Sequence, residues 1–577
     1  MVNGTWRKRL AVWRNRLYLY PSPEAFPYTR SFWLATGLVT LLIILFAGYF
    51  IFYLTSLQDA YLTNAEDLGM MDQAIWSTLH GHLLHQTICN IIGDTNCYTP
   101  AGISRFAIHF EPILLPVSLL YSMWPGPKTL QVLQTLVVAS GAYPAFWLAR
   151  LRLHNEWAGV AIALLYLLYP AQQNALIFDF HAVTFTSALL LFALYFMYTR
   201  RTAWLFVFAL LAMACKEEIP LVVACLGLWS MLLQRRWRSG LLLVLLALIW
   251  TVLGLLVIHS FSPLGHSHLV ARYSYLGSNP LQIAHTLLAH PAGMFKQHVL
   301  ERNHWSYLSS LFAPAGYLPL FVPWVLVLAL PTLLLNLFST DPGMYSGIFQ
   351  YNAEIVPILI FATIEAVVLL LWLAQRLLHL RRGPMYRVQW GGDGWGDPDG
   401  SGRKGQGDGK QKGRSQGDRK GRPYYMTKRL RRLQAGLLLL FLVYVLVSVV
   451  REDTYRSDMP LARGFHWPQV TEHTILAQHI IDMVPPGASV SAQSKLVPHM
   501  SQRLNIYMFP YADTWADYIL LDLHGDRYPY ASVQAYQREV NKVLQNGNYR
   551  ILAAQDGYLL LKRNFLITYP DRRLPMA

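Results

Sequence analysis

The sequence has few charged residues and few cysteines. Only 14% of its 577 residues are Asp, Glu, Lys or Arg, 54% are hydrophobic, and the mean hydropathy is +0.28. A soluble globular protein of this length does not need so much apolar sequence, and four cysteines are too few for a disulfide scaffold. One membrane crossing takes about 20 apolar residues. Because many windows meet or approach that length, the composition predicts a mainly α, polytopic membrane protein.

Familiar nucleotide and hydrolase motifs are also missing. The chain has no GxxxxGK[ST] phosphate loop, no GxSxG nucleophile turn and no GxGxxG fingerprint between a strand and a helix. ATP-driven chemistry is therefore not indicated. This absence fits an enzyme whose driving energy arrives on an activated lipid.

Acidic residues are outnumbered by basic ones, 32 to 48, which gives a net charge of +16. Much of this excess lies in short loops and one linker, where the positive-inside rule accounts for it, so nucleic acid is the weaker choice of partner. The basic segment 1–31 is predicted to be cytoplasmic. The apolar run 32–54 follows it without a small-residue cleavage site, which is typical of a retained signal anchor.

Twelve apolar stretches divide the chain. An N-terminus inside and a C-terminus outside require an odd number of crossings, so the proline-interrupted stretch 110–124 is interpreted as a half-crossing and about 11 transmembrane helices remain. The predicted organisation is a transmembrane domain over 32–380 with outer loops at 55–108 and 262–305, a disordered Gly/Lys/Arg/Asp-rich cytoplasmic linker over 381–432, a last transmembrane helix over 433–452, and a small extracytoplasmic α/β domain over 453–577.

The acidic stretch DAYLTNAEDLGMMDQAIW follows the first apolar run. Asp67 is our first candidate for a catalytic base or metal ligand, with Asp72 as the catalytic alternative and Glu66 as the second metal ligand. A transferase that moves a sugar to a hydroxyl needs a carboxylate to take the proton. A divalent metal, Mg²⁺ or Mn²⁺, would neutralise the leaving phosphate.

Further polar residues fall at the outer ends of different spans, which predicts one shared cavity. The alternative for each of them alone is a charge that caps a helix end in interfacial water. Lys216 could bind a lipid phosphate or form an ion pair, and His109 and His181 could donate to a phosphate, ligate a metal or be structural. The predicted substrate-binding residues are Arg105, His109, Glu111, Asp179, His181, Lys216, Glu217, Gln350 and Tyr351.

Two other patterns in the first loop involve possible cross-links or ligands. Cys89 and Cys97 bracket a short polar segment and would form a disulfide if the loop faces an oxidising compartment and their Cα atoms are close. Both outcomes stay open. The motif HGHLLH is weakly zinc-like, but no Cys/His framework supports it.

A family resemblance rests on an ordered set of motifs: DLGMMDQAIW, HFEPILLPVSLLY, PAQQNALIFDFHAVTF, KEE, NLFS, QYNAEIVPILI, and VSAQSKLVPHMSQRLNIYMFP with DYILLD near the C-terminus. Together they resemble the bacterial membrane-protein family of domain of unknown function 2079, which is similar in architecture to GT-C glycosyltransferases. The resemblance implies an enzyme of the plasma (inner) membrane that transfers a sugar from a polyprenyl-phosphate donor to an unnamed acceptor at the outer face. Asp67 would take the role of the acidic residue in the first outer loop.

Two alternative functions come from other classes. A transporter or flippase of lipid-linked saccharide would have pseudo-symmetric halves and interrupted helices at the midplane, and no clear internal repeat is present. A non-catalytic membrane scaffold would tolerate loss of every outer carboxylate but not loss of the linker or the C-terminal region.

Overall fold

The structure is a computed structural model that describes residues 28–92, 97, 99–277, 280–289, 291–298, 301–380, 428–456, 462–463 and 465–564. The chain forms two compact units, one of Met1–Val368 with Leu442–Ala577 and one of Leu369–Phe441. Most of the predicted N-terminal segment and of the predicted linker lies outside the described residues. The first loop and the C-terminal sheet both belong to the first unit.

The protein is mainly helical. Its α-helices are α1 Arg30–Asp59, α2 Met70–Leu79, α3 Leu114–Tyr121, α4 Pro127–Ser140, α5 Ala142–Leu153, α6 Glu156–Leu167, α7 Pro170–Ile177, α8 Thr186–Tyr198, α9 Thr202–Met213, α10 Ile219–Leu232, α11 Trp237–Phe261, α12 Pro280–Ala289, α13 Pro291–His298, α14 Arg302–Phe312, α15 Pro323–Leu326, α16 Leu330–Leu337, α17 Val356–Leu380, α18 Lys428–Arg456, α19 Glu472–Asp482 and α20 Val533–Gln545.

Within the described residues, five helical segments are long and apolar enough to cross a membrane: Arg30–Asp59, Pro127–Leu153, Trp237–Phe261, Gln350–Ala374 and Ala435–Tyr455. A sixth crossing arises if α6 and α7, which are bent by 43° at their junction, are counted as one broken span. Pro170 begins α7, where its fixed backbone and missing N–H allow a new helix to start but not the old one to continue. Four shorter apolar helical segments of 10–17 residues are also present. The count of 11 crossings stays a prediction.

The segment predicted to cross only halfway contains the short helix α3. Its eight residues rise about 12 Å, against roughly 30 Å of hydrocarbon, so this helix alone does not cross. Pro116 lies in its first turn, a position that leaves no hydrogen bond broken.

The strands form two sheets. In the first loop, β1 (His85–Gln86) pairs antiparallel with β2 (Ile103–Ser104). The second sheet, in the order β4-β3-β5-β7-β6, contains β3 (Val490–Ala492), β4 (Ile506–Met508), β5 (Tyr518–Asp522), β6 (Tyr549–Gln555) and β7 (Tyr558–Arg563). Strands β3, β4 and β5 are parallel, whereas β7 is antiparallel to β5 and β6. The C-terminal region thus contains a small sheet with helices beside it, and a separate extracytoplasmic domain stays a prediction.

The two faces of this five-stranded sheet bury different partners. One face packs against α20 through Tyr536, Val540 and Val543. The other face packs against α19 and also against residues of the first loop, including Ala65 and Met70. The C-terminal sheet and the first loop therefore share one hydrophobic core, and this core fixes the acidic stretch in place.

Candidate functional site

The acidic stretch contains a single π-helical turn, Ala65–Gly69, which runs directly into α2. Such turns are rare and frequently occur at functional sites. A Cβ atom on Gly69 would lie 3.1 Å from a methyl group of Val497, so glycine allows the C-terminal segment to approach the turn closely. The turn carries Glu66 and Asp67 side by side.

Asp67 is paired with a histidine from another part of the chain. Its Oδ1 lies 3.2 Å from Nε2 of His181, and the two side chains are 19% and 9% exposed. The other ring nitrogen of His181, Nδ1, is buried and has no hydrogen-bond partner among the described residues. A carboxylate against an imidazole is a suitable pair for moving a proton.

The loop that carries His181 is held by one glutamine of α4. Gln134 donates from Nε2 to the carbonyl oxygens of Leu176 and Asp179, at 3.1 and 2.9 Å, and its Oε1 accepts from the His181 backbone N–H at 2.8 Å. Asp179 has a positive φ of 51°, which a non-glycine residue rarely adopts. The amide of Gln134 therefore stabilises an uncommon backbone path that presents His181 to Asp67.

Asp179 joins this loop to the residue before the π-helical turn. Its Oδ2 accepts from the backbone N–H and the side-chain amide of Asn64, at 2.9 and 3.2 Å. Burial, and then the charge of Asp67, raise the pKa of Asp179 to about 7. Asp179 thus joins the loop of His181 to the residue before the acidic turn, and its role in substrate binding stays a prediction.

Three cations face the acidic turn. Arg105 donates from Nε to Glu111 at 2.9 Å and from Nη1 to Sδ of Met70 at 3.2 Å. The ammonium group of Lys216 pairs with Glu218, and the guanidinium of Arg272 lies 3.0 Å from Asp341. Burial lowers the pKa of Lys216, but the charges of Glu218 and Glu217 outweigh it, so the pKa is raised overall and the ammonium stays charged.

These groups enclose a cavity of about 140 Å³, hereafter the acidic cavity. Glu218 and Asp341, which pair with Lys216 and Arg272, are not among the residues that line the cavity. Both cations therefore line the cavity while their carboxylate partners lie outside it. Its lining residues are Glu66, Asp67, Met70, Arg105, Ile108, His109, Glu111, His181, Val183, Lys216, His268, Leu269, Arg272, Gln350 and Tyr351.

Most of the predicted site residues meet here. The acidic cavity is lined by nine of them: Asp67, Glu66, Arg105, His109, Glu111, His181, Lys216, Gln350 and Tyr351. Glu217 does not line it. Its carboxylate lies 2.7 Å from Nδ1 of His109 and accepts from the Phe110 N–H, so it positions His109, and substrate binding by Glu217 stays a prediction.

Asp72, predicted as the catalytic alternative, lies in the protein interior, and its catalytic role stays a prediction. It is completely buried, outside the acidic cavity, and its two oxygens accept hydrogen bonds from Tyr121 Oη at 2.6 Å and Ser501 Oγ at 2.7 Å. Burial raises its pKa to about 7. Of the two, only Asp67 lines the acidic cavity.

The metal prediction rests on Glu66 and Asp67. Oε2 of Glu66 accepts from the side-chain amide of Asn90 at 3.2 Å and from the hydroxyl of Tyr528. In the part of the chain that the structure describes, these two carboxylates and the HGHLLH histidines belong to no group of three or more His, Cys, Asp or Glu ligands close enough to hold one ion. Two carboxylates do suit Mg²⁺, which keeps several waters, so metal use stays a prediction.

The cysteine pair forms a disulfide. Cys89 and Cys97 are bonded, with Cα atoms 5.5 Å apart, which settles the alternative left open by the sequence. The bridge closes the segment that begins with Asn90, the residue that donates to Glu66. The disulfide therefore supports one wall of the site.

Two of the lining residues, His268 and Arg272, were missed as site residues. The sequence could have indicated both residues, since they lie in the His- and Tyr-rich loop 262–305, which is predicted on the same side of the membrane as the acidic stretch. Tyr528, which bonds Glu66 from 462 residues away, had no detectable signal in the sequence.

A larger cavity of about 340 Å³ lies between the end of α1 and the C-terminal segment. Its charged lining residues include Asp59 and Lys128, which pair with each other at 2.6 Å, and Arg503, whose Nε bonds a backbone carbonyl. The larger cavity contains a single carboxylate, Asp59, which is half-exposed, whereas the acidic cavity brings several carboxylates and cations together. The acidic cavity is therefore the better candidate for chemistry, although it is smaller.

Comparison with known proteins identifies the family. The family model described as "Predicted membrane protein (DUF2079)" matches residues 58–387 and 419–560, most of the chain. The chain belongs to the DUF2079 family. This match confirms the resemblance drawn from the sequence motifs, and it includes the segments that carry Asp67, His181, Lys216 and Ser501. Among curated proteins, no match to the chain was found.

Two solved structures are similar to this DUF2079 protein. ArnT from Cupriavidus metallidurans, bound to undecaprenyl phosphate, is 11% identical to this chain, with a TM-score of 0.44. The similar region covers 94% of this chain and 100% of the ArnT chain. The oligosaccharyltransferase AglB from Archaeoglobus fulgidus, in complex with an inhibitory peptide and a dolichol-phosphate, is 9% identical to this chain, with a TM-score of 0.39. The similar region covers 93% of this chain and 75% of the AglB chain. At these TM-scores neither similarity decides the function.

Proposed function

We propose that this DUF2079 protein is an integral membrane glycosyltransferase that moves a sugar from a polyprenyl-phosphate donor to an acceptor hydroxyl at the outer face of the membrane. The single observation that carries the proposal is the acidic cavity, in which Asp67 and His181 face the cations Lys216 and Arg272. A base opposite a phosphate-binding wall is what this reaction requires.

The reaction follows from that arrangement. Asp67, oriented by His181, takes the proton of the acceptor hydroxyl. At the same time the oxygen of that hydroxyl forms a bond to the anomeric carbon of the donor sugar. The bond between that carbon and the phosphate oxygen breaks, and the electron pair leaves with the polyprenyl phosphate. Lys216 and Arg272 stabilise the negative charge on the departing phosphate, because their partners Glu218 and Asp341 fix them without covering them.

Glu66 and Asp67 would hold a Mg²⁺ or Mn²⁺ ion, which would supply charge neutralisation at the leaving phosphate. Comparing turnover with either metal and with a chelator tests this part. The side of the membrane is supported by the disulfide, because such bonds persist in oxidising compartments such as the bacterial periplasm.

The first prediction concerns Asp67→Asn, tested on purified protein in detergent with a panel of polyprenyl-phosphate sugars and Mg²⁺ or Mn²⁺. The amide cannot take a proton, so we expect sugar release or transfer, followed by mass spectrometry, to fall roughly 10²–10⁴-fold. Asp59→Asn is the matched control, because Asp59 is half-exposed in the same region, outside the acidic cavity, and should leave turnover unchanged.

Equal turnover by wild type and a well-folded Asp67→Asn variant would remove Asp67 from the role of base. If wild type turns over no donor although radiolabelled polyprenyl phosphate binds it, the transport function becomes the better hypothesis. Failure of both binding and turnover would favour the non-catalytic scaffold.

A further inference from the structure

A second cluster of potential ligands lies on the C-terminal sheet, and none of its residues lines the acidic cavity. His473 stands in the first turn of α19, His524 follows β5, and Asp556 occupies the turn between β6 and β7. One ligand atom from each lies within 4.8 Å of the others. Three segments distant in sequence thus bring two imidazoles and a carboxylate to one point, hereafter the His–His–Asp cluster.

The distances suit a tetrahedral ion. Nδ1 of His473 lies 2.7 Å from Oδ2 of Asp556, and Nδ1 of His524 lies 4.0 Å from Oδ1 of the same carboxylate. Ligands about 2.0–2.1 Å from a tetrahedral Zn²⁺ are about 3.3 Å from one another. For Oδ2 of Asp556 to serve as the ligand beside His473, the 2.7 Å distance must open by about 0.6 Å, and His524, now 4.0 Å from the other oxygen, must move toward the same ion. Shifts of this size are within the reach of side-chain rotation, since His524 and Asp556 are 65% and 54% exposed.

A second carboxylate orients His473 from the far side. Nε2 of His473 lies 3.1 Å from Oδ2 of Asp522, and its ring stacks on Tyr558 with centroids 4.3 Å apart. In metal sites, a carboxylate on the outer ring nitrogen fixes the tautomer so that the other nitrogen can bind the ion. Here Asp522 leaves Nδ1 directed at Asp556.

The backbone also accommodates this arrangement. Gly557 has φ +84°, and a Cβ atom there would lie 2.5 Å from Nδ1 of His524. Glycine therefore satisfies both the turn and the close approach of His524. On the other side, Oδ1 of Asp522 accepts from the backbone N–H of His524 at 2.9 Å, which anchors the start of this loop.

An exposed ion pair is the simpler account of part of the cluster. It explains His473 between Asp522 and Asp556, because a protonated imidazole would bond both carboxylates. It does not explain why His524 is brought to within 4.0 Å of Asp556, where no hydrogen bond forms.

We propose that His473, His524 and Asp556 bind a divalent transition-metal ion, Zn²⁺ in the first instance, with water as the remaining ligand and Asp522 as the residue that orients His473. The ligand set of two imidazoles and one carboxylate suits Zn²⁺. The ion would join α19, the loop after β5 and the β6–β7 turn, and so fasten one edge of the C-terminal sheet.

The test uses the full chain in detergent, purified on a tag without histidine, stripped with a chelator and titrated with Zn²⁺ alone against a chromogenic competitor. We expect one tightly bound Zn²⁺ per chain and its loss in His524→Ala. His479→Ala is the matched control, because His479 is an exposed histidine on α19 and should keep the ion. Asp522→Asn should bind Zn²⁺ roughly 10–100-fold more weakly.

His524 is mostly exposed, so its removal should leave the fold intact, and an unchanged melting temperature without metal verifies this. Absence of a tight site in wild type would overturn the proposal. Retention of the bound Zn²⁺ by His524→Ala would also overturn it, because another of the 19 histidines would then be responsible.

Discussion

Asp67 and Asp72 stand five positions apart in the same acidic stretch and face different environments. Five helical residues turn the chain by about 500°, so the two side chains point to different sides. Asp67 reaches the acidic cavity and His181, whereas Asp72 meets Tyr121 and Ser501 in the protein interior. Position along the helix, not residue type, therefore separates the candidate base from the structural carboxyl.

The burial of Asp72 gives a prediction for pH. Its pKa is raised from 3.8 to about 7 in the folded protein, so between these values the native state holds one proton more than the unfolded state. The free energy of unfolding therefore falls as the pH rises through this range, by about 2–3 kcal/mol between pH 5 and pH 8. Asp72→Asn should remove this part of the pH dependence while retaining a hydrogen bond to Tyr121.

Thermal unfolding at pH 5 and pH 8 checks this expectation. The melting temperature of wild type should fall more between the two pH values than that of Asp72→Asn. Asp526→Asn, at an exposed carboxylate, serves as the control and should follow wild type. Identical pH dependence in wild type and Asp72→Asn would mean that Asp72 is ionised in the fold.

At the scale of elements, the first loop is braced by its disulfide. Closing nine residues from Cys89 to Cys97 removes chain entropy worth roughly 2–3 kcal/mol from the unfolded state. We expect a reducing agent to lower the melting temperature of wild type. The double variant Cys89→Ser/Cys97→Ser should start at that lower value and show no further response. A double variant as stable as oxidised wild type would contradict this account.

The apolar runs and their charged ends were sufficient to predict a membrane protein. They also predicted that most of the residues that line the acidic cavity lie on the same side of the membrane. Arg105, His181, Lys216 and Tyr351 come from four different segments and do meet in the acidic cavity. The reason is physical: a charge is costly in hydrocarbon, so charges collect at span ends, and span ends on one side share one region of space.

Tertiary partners could not be predicted in the same way. Hydrophobic periodicity reports on neighbours within a helix or strand, and nothing local marks Ser501 as the partner of Asp72. The uncommon backbone of Asp179 and the bond from Tyr528 to Glu66 likewise depend on contacts made only in the complete fold.

At the scale of the whole molecule, Gln73 links the first loop to the C-terminal sheet. Its amide nitrogen donates to Thr87 and to the backbone carbonyls of Arg503 and Leu504, at 2.9, 3.2 and 3.1 Å. Gln73→Ala would remove this donor from acceptors that are buried or half-buried, at a cost of about 1–3 kcal/mol. The opening of the segment around Arg503 should become correspondingly more frequent.

Limited trypsin digestion measures that opening, because Arg503 is a cleavage site that is only 8% exposed. Cleavage after Arg503 should be about tenfold faster or more in Gln73→Ala, since proteolysis follows the population of the open form. His82→Ala changes an exposed residue of the same loop and should digest like wild type. Equal rates in all three proteins would show that the contacts of Gln73 do not protect the distant segment.

The bond between Asp72 and Ser501 also sets an order of events during biogenesis. The two residues are 429 positions apart, and a ribosome adds about 5–20 residues per second, so Asp72 emerges on the order of 20–90 seconds before its partner exists. Throughout that interval the first loop lacks part of its core and must wait at the translocon or among chaperones. A nascent chain stalled before residue 501 would accordingly carry an incomplete site, and quality-control proteases would meet the protein first at this loop.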